Sequence, residues 1–374
     1  MRKKVLAQKP YRDIDYVLAL DDATRLGALR FRSDAASPFL TPTTGKLPPL
    51  VKLGALLRAT DAIHKETETA QDLRFLLGAG SPLGGARPKA TVSLPDDRLA
   101  IAKFPKPDDT RDIAAGEILA LTLAGQAGIN VAEHQLVKAG SHSVAVITRF
   151  DRVGPSRLPF ISASTLLGLT PDDPGAYTLL ADGIRRFGGD VPGDLRELWR
   201  RLVFSLLASN YDDHLRNHGF LMREPGRWSL SPAYDLNPVP EIDRARTNKT
   251  AITEEQTEST MSAVLAAARR FGLNGAESKR ILGEVFKAVS GWRDTGRKLG
   301  RRACLENWPG LNCERGSVDG ERRGASISGE ICERRATKQA TLPRRKTARN
   351  ILQTRSASVH ARRLCQRLRP FADA

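Results

Sequence analysis

Cysteine and long apolar runs are both scarce in this sequence, and each shortage excludes classes of protein. Four cysteines occur in 374 residues, and their spacings match neither a zinc-binding pattern nor a compact disulfide framework. No uninterrupted apolar run approaches the ~18 residues that a membrane-spanning helix requires. The start, MRKKVLAQKPYRD, is basic but leads into no apolar segment, so it does not predict a secretory signal. We therefore expect a cytoplasmic protein that does not enter a membrane.

Positive charge is abundant but unevenly distributed. The formal net charge is +17; residues 301–374 hold 17 Lys or Arg against 7 Asp or Glu, which leaves 42 against 35 in residues 1–300. The same C-terminal stretch has paired arginines and no helical period, so we predict a largely disordered basic tail over 299–374. Nucleic-acid binding through this tail is one functional alternative. All the cysteines lie in it: Cys304, Cys313, Cys332 and Cys365.

A dense polar cluster lies at the centre of the stretch 209–238, SNYDDHLRNHGFLMREPGRWSLSPAYDLNP. Leucines and a tryptophan at helical spacing predict an amphipathic helix before it, over 194–207. A hairpin follows the cluster, with strands at 219–222 and 228–230 and a turn at 224–226. The order is therefore helix, acidic loop, hairpin and a final aspartate.

The acidic loop has the spacing of a kinase catalytic loop. Asp212 and Asn217 stand as D-x-x-x-x-N, and Asp235 follows the hairpin, where kinases place a metal-binding aspartate. Asp213 does not fit the spacing. We predict that Asp212 is the base that orients an attacking hydroxyl and accepts its proton, while Asn217 and Asp235 hold Mg²⁺.

Two other interpretations of the same residues stay open. A capped helix end followed by a surface hairpin needs no chemistry, because Asp and Asn are common in loops for their turn-forming ability. A metal-hydrolase site of Asp212, His214 and His218 is the other, although no further His or Cys cluster supplies more ligands.

The first half of the chain offers residues for binding a nucleotide. Lys103 lies on a predicted strand, 99–105, and Glu117 in the first turns of a predicted helix, 112–128. A strand lysine followed by a helix glutamate is the pair that positions the α- and β-phosphates of ATP in kinases. A strand-end lysine that reaches water and a glutamate favoured by a helix N-terminus explain the same pattern without a ligand.

A glycine-rich stretch, GAGSPLGGARPK at 78–89, precedes a predicted strand at 90–92. Such a turn lets backbone N–H groups approach phosphate oxygens. It is not a Walker A loop, because Ala86 stands where the lysine must be; taken alone, it is better explained as a hairpin turn.

The other predicted elements are a short helix or strand, an acidic turn and a strand within 13–32, a loop at 33–49, a helix at 50–69, a strand at 143–150 and helices at 258–271 and 276–289.

Several of these segments occur in the order of one known family. The chain resembles the HipA-type serine/threonine kinases, the toxins of type II toxin–antitoxin pairs. The matching segments are GGARPKA at 84–90, AKFP at 102–105, GINVAEHQL at 128–136, TRFDR at 148–152, NYDDHLRNHGFL at 210–221 and LSPAYDLNP at 230–238. As an ordered set they are quite specific.

The resemblance implies an α+β, two-lobed protein-kinase-like fold. We expect an ATP-binding N-lobe at 1–150, a mainly helical C-lobe at 151–298 and the tail at 299–374. The family usually has a further N-terminal subdomain ahead of the equivalent of Asp13 and ends with a helix shortly after the equivalent of Trp292. We therefore expect a shortened N-lobe, and a tail that resembles translation in a shifted frame.

Carried over residue by residue, the resemblance gives each motif a role. Asp212 becomes the catalytic base and Asn217 and Asp235 the Mg²⁺ ligands, while Lys103 and Glu117 serve the ATP phosphates. The backbone of Arg149 and Phe150 becomes the adenine hinge, and Ser81 becomes the autophosphorylation site that switches the kinase off. The phosphate loop that contacts ATP would include Gly84, Gly85, Ala86 and Lys89.

The resemblance also implies partners. The cofactors would be ATP and Mg²⁺, and the substrate a translation-related protein, with an aminoacyl-tRNA synthetase as the candidate. A HipB-like DNA-binding antitoxin would be the natural partner, so that DNA is contacted only through it. The alternative is a catalytically weak family remnant that acts by binding.

Overall fold

The computed structural model describes residues 14, 18, 20–40, 47–69, 72, 87–170, 173–239, 248–255 and 259–300. In these ranges the protein combines an antiparallel sheet with a larger set of helices. None of the helices described is long and apolar enough to cross a membrane. The helices are α1 (Leu53–His64), α2 (Ile113–Gln126), α3 (Ala163–Leu167), α4 (Tyr177–Phe187), α5 (Val191–Leu207), α6 (Met261–Ala267), α7 (Gly275–Ser290) and α8 (Trp292–Lys298).

The strands form one larger sheet and several small pairings. The four-stranded sheet has the order β1-β2-β4-β3 and is antiparallel throughout. A second sheet has the order β10-β9-β7, and β8 pairs with β11 in parallel. The strands are β1 (Lys89–Ser93), β2 (Leu99–Lys103), β3 (His134–Ala139), β4 (His142–Thr148), β5 (Arg152–Val153), β6 (Ser156–Arg157), β7 (Phe160–Ser162), β8 (Gly175–Ala176), β9 (Gly219–Glu224), β10 (Arg227–Leu230) and β11 (Thr250–Ala251).

Strand β4 joins two hydrophobic cores. Successive side chains of a strand point to opposite faces of its sheet. Val144 and Val146 accordingly pack in a smaller core with α1, while Ala145 and Ile147 pack in a larger core with α2 and the C-terminal helices. This two-sided burial explains why the strand is apolar at consecutive positions.

Helix α2 is buried over most of its length, and its sequence, IAAGEILALTLAGQ, is mainly apolar. Its N-terminus is capped by Asp112, whose side chain accepts a hydrogen bond from the Ala115 amide at 2.9 Å. Glu117 is the one acidic residue of this helix and is 3% exposed. A carboxylate buried in apolar surroundings requires a partner.

Helix α5 and the hairpin after it form as the sequence predicts. The helix begins at Val191, three residues before the predicted start at 194, because Asp190 caps it by accepting from the Gly193 amide at 3.0 Å. The predicted strands at 219–222 and 228–230 are confirmed as β9 and β10. The strands predicted at 99–105 and 143–150 form as β2 and β4, and the helix predicted at 112–128 forms as α2.

The strand predicted before Arg32 is wrong. Residues 20–40 form turns and bends, with no helix or strand among them. The Arg149 guanidinium donates hydrogen bonds to the carbonyls of Thr24 at 3.0 Å and Arg25 at 2.6 Å. Because these acceptors are satisfied by a side chain, this part of the segment needs no neighbouring strand.

The boundary at residue 150 and the tail from 299 stay predictions. The tail residues 301–374 lie outside the described residues, and so does the glycine-rich stretch from 78 to 86.

Candidate active site

Lys103 joins two carboxylates that are far apart in the sequence. Its Nζ lies 2.5 Å from Glu117 Oε1 and 2.7 Å from Asp235 Oδ1. Lys103 is the last residue of β2, where its register partner on β1 is Lys89. The structure therefore brings together the strand lysine, the helix glutamate and the aspartate after the hairpin.

Burial and charge oppose each other in this triad. Burial by itself lowers the pKa of Lys103, but the adjacent carboxylates of Glu117 and Asp235 outweigh it and raise that pKa. For Asp235, burial acts to raise the pKa, and the Lys103 ammonium outweighs burial and lowers it to about 2. Burial raises the pKa of Glu117, and Lys103 opposes this effect. Lysine and aspartate are thus held in their charged forms.

Asp235 is held by its backbone neighbours. Its φ of 59° lies in the left-handed region, which costs a residue other than glycine roughly 1–2 kcal/mol. Just before it, Ala233 exchanges backbone hydrogen bonds with residues 130–132 near the start of β3: its amide donates to Asn130 O at 2.7 Å, and its carbonyl accepts from Ala132 N at 3.0 Å. The side-chain Nδ2 of Asn237 donates a hydrogen bond to Asp235 Oδ1 at 3.2 Å. Strain held by surrounding structure is typical of functional positions.

The loop after α5 presents two adjacent aspartates in opposite environments. Asp213 is 4% exposed and accepts hydrogen bonds from Ser205 Oγ at 2.9 Å and from the Tyr177 hydroxyl. His218 Nε2 lies 3.2 Å from its Oδ1. Burial acts to raise the pKa of Asp213, but His218 and these hydrogen bonds outweigh it and lower the pKa. Asp213 therefore anchors the loop to α4 and α5.

Asp212 instead faces solvent, with 52% of its side chain exposed. Its Oδ1 forms an ion pair with the Lys249 ammonium. Its backbone carbonyl accepts a hydrogen bond from Asn217 Nδ2 at 3.2 Å, which closes the loop across the predicted D-x-x-x-x-N spacing. A carboxylate at this position can meet a hydroxyl that arrives from outside.

A cleft of about 500 Å³ is lined by four of these residues, Lys89, Lys103, Asn217 and Asp235. This volume is typical of a small-molecule site. Arg149 also lines the cleft, although its guanidinium is bound to Asp151 at 2.9 Å and to residues 24 and 25. The apolar part of the wall includes Leu26, Ile101, Ile147, Phe150 and Phe160, and the polar part includes Lys89, Lys103, Asn217 and Asp235.

The structure separates the predicted site residues into three groups. Lys89, Lys103, Arg149, Phe150, Asn217 and Asp235 line the cleft, and Glu117 contacts it through Lys103. Asp212 lies beside it in the same loop as Asn217. Ser81, Gly84, Gly85 and Ala86 lie outside the described residues.

The metal-hydrolase interpretation is not supported. His218 is buried against Asp213 and the Tyr177 ring rather than beside Asp212. Among the residues that the structure describes, no three His, Cys, Asp or Glu side chains are grouped to hold a metal ion.

The sequence did not predict the contact of Lys249 with Asp212, because nothing in the spacing of these two residues indicates it.

Comparison with known families decides the assignment. A family model described as the HipA-like C-terminal domain matches residues 81–292, more than half of the chain. The chain belongs to this HipA-like family. The resemblance found from its motifs is thereby confirmed.

Two curated relatives of this HipA-like chain are named as kinases. The putative kinase Y4dM of Sinorhizobium fredii is 32% identical over 148 residues, which cover 35% of this chain and 36% of that protein. A putative kinase of Haemophilus influenzae is 26% identical over 188 residues, covering 44% and 55%. The chain thus spans about a third to about half of the length of these relatives.

Among solved structures, HipA of Shewanella oneidensis MR-1 has a similar fold. That protein was solved with HipB and its operator DNA. It superposes with a TM-score of 0.59 at 17% identity, over 81% of this chain and 79% of that one. The predicted α+β, kinase-like fold is thereby confirmed.

Proposed function

We propose that this protein is an ATP- and Mg²⁺-dependent serine/threonine protein kinase of the HipA type. The observation that carries the proposal is the Lys103 ammonium, held between Glu117 and Asp235 in a cleft bordered by the loop of Asp212 and Asn217. This arrangement corresponds to the lysine–glutamate pair and the two metal-binding residues of protein kinases. The relatives named as putative kinases support it.

The cleft suits a nucleotide at both of its ends. The apolar residues Phe150, Ile101 and Leu26 would enclose adenine, and the two facing lysines would meet phosphate oxygens. Burial, followed by the positive charge of Lys103, lowers the pKa of Lys89. An added phosphate anion would relieve this repulsion between the lysines, so the pair favours an anionic ligand.

The donor set also fits magnesium. Mg²⁺ prefers carboxylate and amide oxygens, and Asp235 and Asn217 supply one of each at the cleft wall. The Asn217 Nδ2 group is already used as a donor to Asp212 O, which leaves its Oδ1 for a cation. When bound, the metal would neutralise charge on the phosphates.

Asp212 would act on the acceptor. Its carboxylate would accept the proton of a serine or threonine hydroxyl while that oxygen bonds to the γ-phosphorus and the bond to the β,γ-bridging oxygen breaks, releasing ADP. Asp213 cannot replace it, because its carboxylate is buried and already accepts two hydroxyl hydrogen bonds.

The proposed substrate, autophosphorylation site and partner are based on the resemblance to the HipA family. We propose a translation-related protein as substrate, with an aminoacyl-tRNA synthetase as the candidate, and Ser81 as the site of autophosphorylation. A HipB-like antitoxin is the proposed partner, since the Shewanella HipA was solved with HipB and operator DNA. DNA would then be contacted only through that partner.

Autophosphorylation tests the proposal. Purified protein is incubated with Mg²⁺-ATP, and phosphosites are mapped by mass spectrometry in wild type, Asp212→Ala and Glu224→Gln. Glu224 is an exposed residue at the end of β9 and serves as the matched control. We expect phosphate on Ser81 in wild type and the control and none in Asp212→Ala. No incorporation by folded wild-type protein would favour the catalytically weak remnant.

A further inference from the structure

The ion pair between Asp212 and Lys249 contributes little to the stability of the fold. The two side chains are 52% and 59% exposed, and an exposed pair of this kind contributes at most about 1 kcal/mol. Its position is more informative, because one partner is the proposed catalytic base. A cation in contact with that base affects the chemistry even if it does little for folding.

The backbone of Lys249 is fixed independently of its side chain. Its amide donates to Tyr211 O at 3.2 Å, immediately before Asp212. The next residues, Thr250–Ala251, pair in parallel with β8, and Thr250 is 1% exposed. Ile252 O then accepts from the Thr178 amide at 3.3 Å. The fold therefore delivers one lysine to the loop at a set position, and only its flexible side chain reaches the carboxylate.

Phosphoryl transfer creates a need for such a cation. Asp212 must lie close to the acceptor oxygen, so its negative charge is brought toward the γ-phosphate. Two anions at such distances repel each other, and a positive charge that already lies beside them reduces this repulsion. Lys103 is paired with Glu117 and Asp235 and is assigned to the nucleotide phosphates, whereas the ammonium in contact with the Asp212 carboxylate is that of Lys249.

We propose that Lys249 is a positioning residue of the phosphoryl-transfer reaction. It holds the Asp212 carboxylate in one orientation for the acceptor hydroxyl and offsets the repulsion between that carboxylate and the transferred phosphoryl group. The inference rests on the proposed kinase function and extends it to a residue outside the catalytic loop. Lys249 acts through Asp212 and takes no proton itself.

The test compares Lys249→Met and Lys249→Arg with wild type. Methionine keeps the length of the side chain without its charge, and arginine keeps the charge. Lys279, an exposed residue of α7, provides the control variant Lys279→Met. We measure kcat and KM for ATP with unphosphorylated protein as the enzyme and a serine-containing peptide as the acceptor, the Kd of ATP by calorimetry, and Tm.

We expect Lys249→Met to lower kcat by roughly 10- to 100-fold, the size of effect typical of an interaction made mainly in the transition state. The KM and Kd of ATP should stay within about twofold, because Lys249 is not among the residues that line the nucleotide cleft. Lys249→Arg should recover kcat to within about fivefold of wild type, and Tm should change by only about 1–2 °C, as for a surface pair.

Three results would overturn the inference. A kcat of Lys249→Met equal to wild type shows that the pair is incidental, and an increased kcat shows that Lys249 restrains the base. Equal losses in the Met and Arg variants with a lowered Tm show a structural role. Each of these requires active wild-type protein; inactive, folded wild-type protein instead refutes the kinase proposal itself.

Discussion

Replacing Lys103 with methionine tests the buried triad directly. The change removes the ammonium and keeps a side chain of similar length, so two carboxylates remain without their cation. Glu117 is the critical one, because its side chain is 3% exposed and the Lys103 side chain is 10% exposed. Removing one partner of a buried ion pair typically costs about 3–5 kcal/mol of the free energy of unfolding. Asp235 adds less, since 34% of its side chain meets solvent.

The loss in free energy of unfolding caused by Lys103→Met should increase with pH. Burial raises the pKa of Glu117 in the wild type, while Lys103 acts to lower it and Asp235 to raise it. Without Lys103 the folded-state pKa of Glu117 rises further above the unfolded value. A group with a raised folded pKa stabilises the protein below its unfolded pKa, and this stability is lost as pH rises through the folded pKa. Lys103→Met should therefore show its larger deficit at pH 8 and a smaller one at about pH 4, where Glu117 is protonated but Asp235, whose pKa Lys103 lowers to about 2, still loses its cation.

Urea denaturation followed by tryptophan fluorescence measures this deficit at both pH values. The control is the double variant Lys103→Met/Glu117→Gln, which removes the stranded charge and should recover most of the lost stability at pH 8. Both variants should lose ATP binding, which separates stability from function. A deficit below about 1 kcal/mol at pH 8, or one that is equal at pH 4 and 8, would refute the buried-carboxylate reasoning.

Three further predictions concern the elements that support the site. Burial raises the pKa of Asp194 to about 6. Asp194→Asn removes this buried charge and can still accept the hydrogen bond from the backbone amide at the end of β10. In urea titrations its free energy of unfolding should exceed that of wild type by about 1–3 kcal/mol at pH 8 and equal it at pH 4. Asp213→Asn should lower the free energy of unfolding by about 1–3 kcal/mol and reduce kcat, since the anchored loop loses a charged acceptor; an unchanged melting curve would contradict this. Gly219→Ala places a Cβ 2.4 Å from Phe160 Cε2 and should lower the free energy of unfolding by about 1–3 kcal/mol. By contrast, the Cβ added by Gly283→Ala in helix α7 meets no neighbouring atom within 4 Å, so this variant should raise the free energy of unfolding by about 0.5–1 kcal/mol.

Local patterns were enough to predict much of the architecture. The hairpin after the acidic loop follows from two apolar runs around Glu224-Pro225-Gly226, and helix α7 follows from its apolar period. Helix boundaries were less well defined, because capping depends on one side chain: Asp190 starts α5 three residues before its apolar period begins. The spacing of Asp212 and Asn217 is also local, and a hydrogen bond joins the two residues.

The sequence alone determined the order of the elements, the residue types of the candidate site and the family, because side-chain periodicity and motif spacing are properties of short segments. Only the tertiary structure decided which charges meet. Lys103 contacts Asp235 across 132 positions of sequence, and of two neighbouring aspartates it buries Asp213 and exposes Asp212. It also places Lys249 against Asp212 through a parallel strand pair that no local pattern indicates. Such contacts depend on the packing of distant elements around a common core, and the spacing of residues along the chain does not predict that packing.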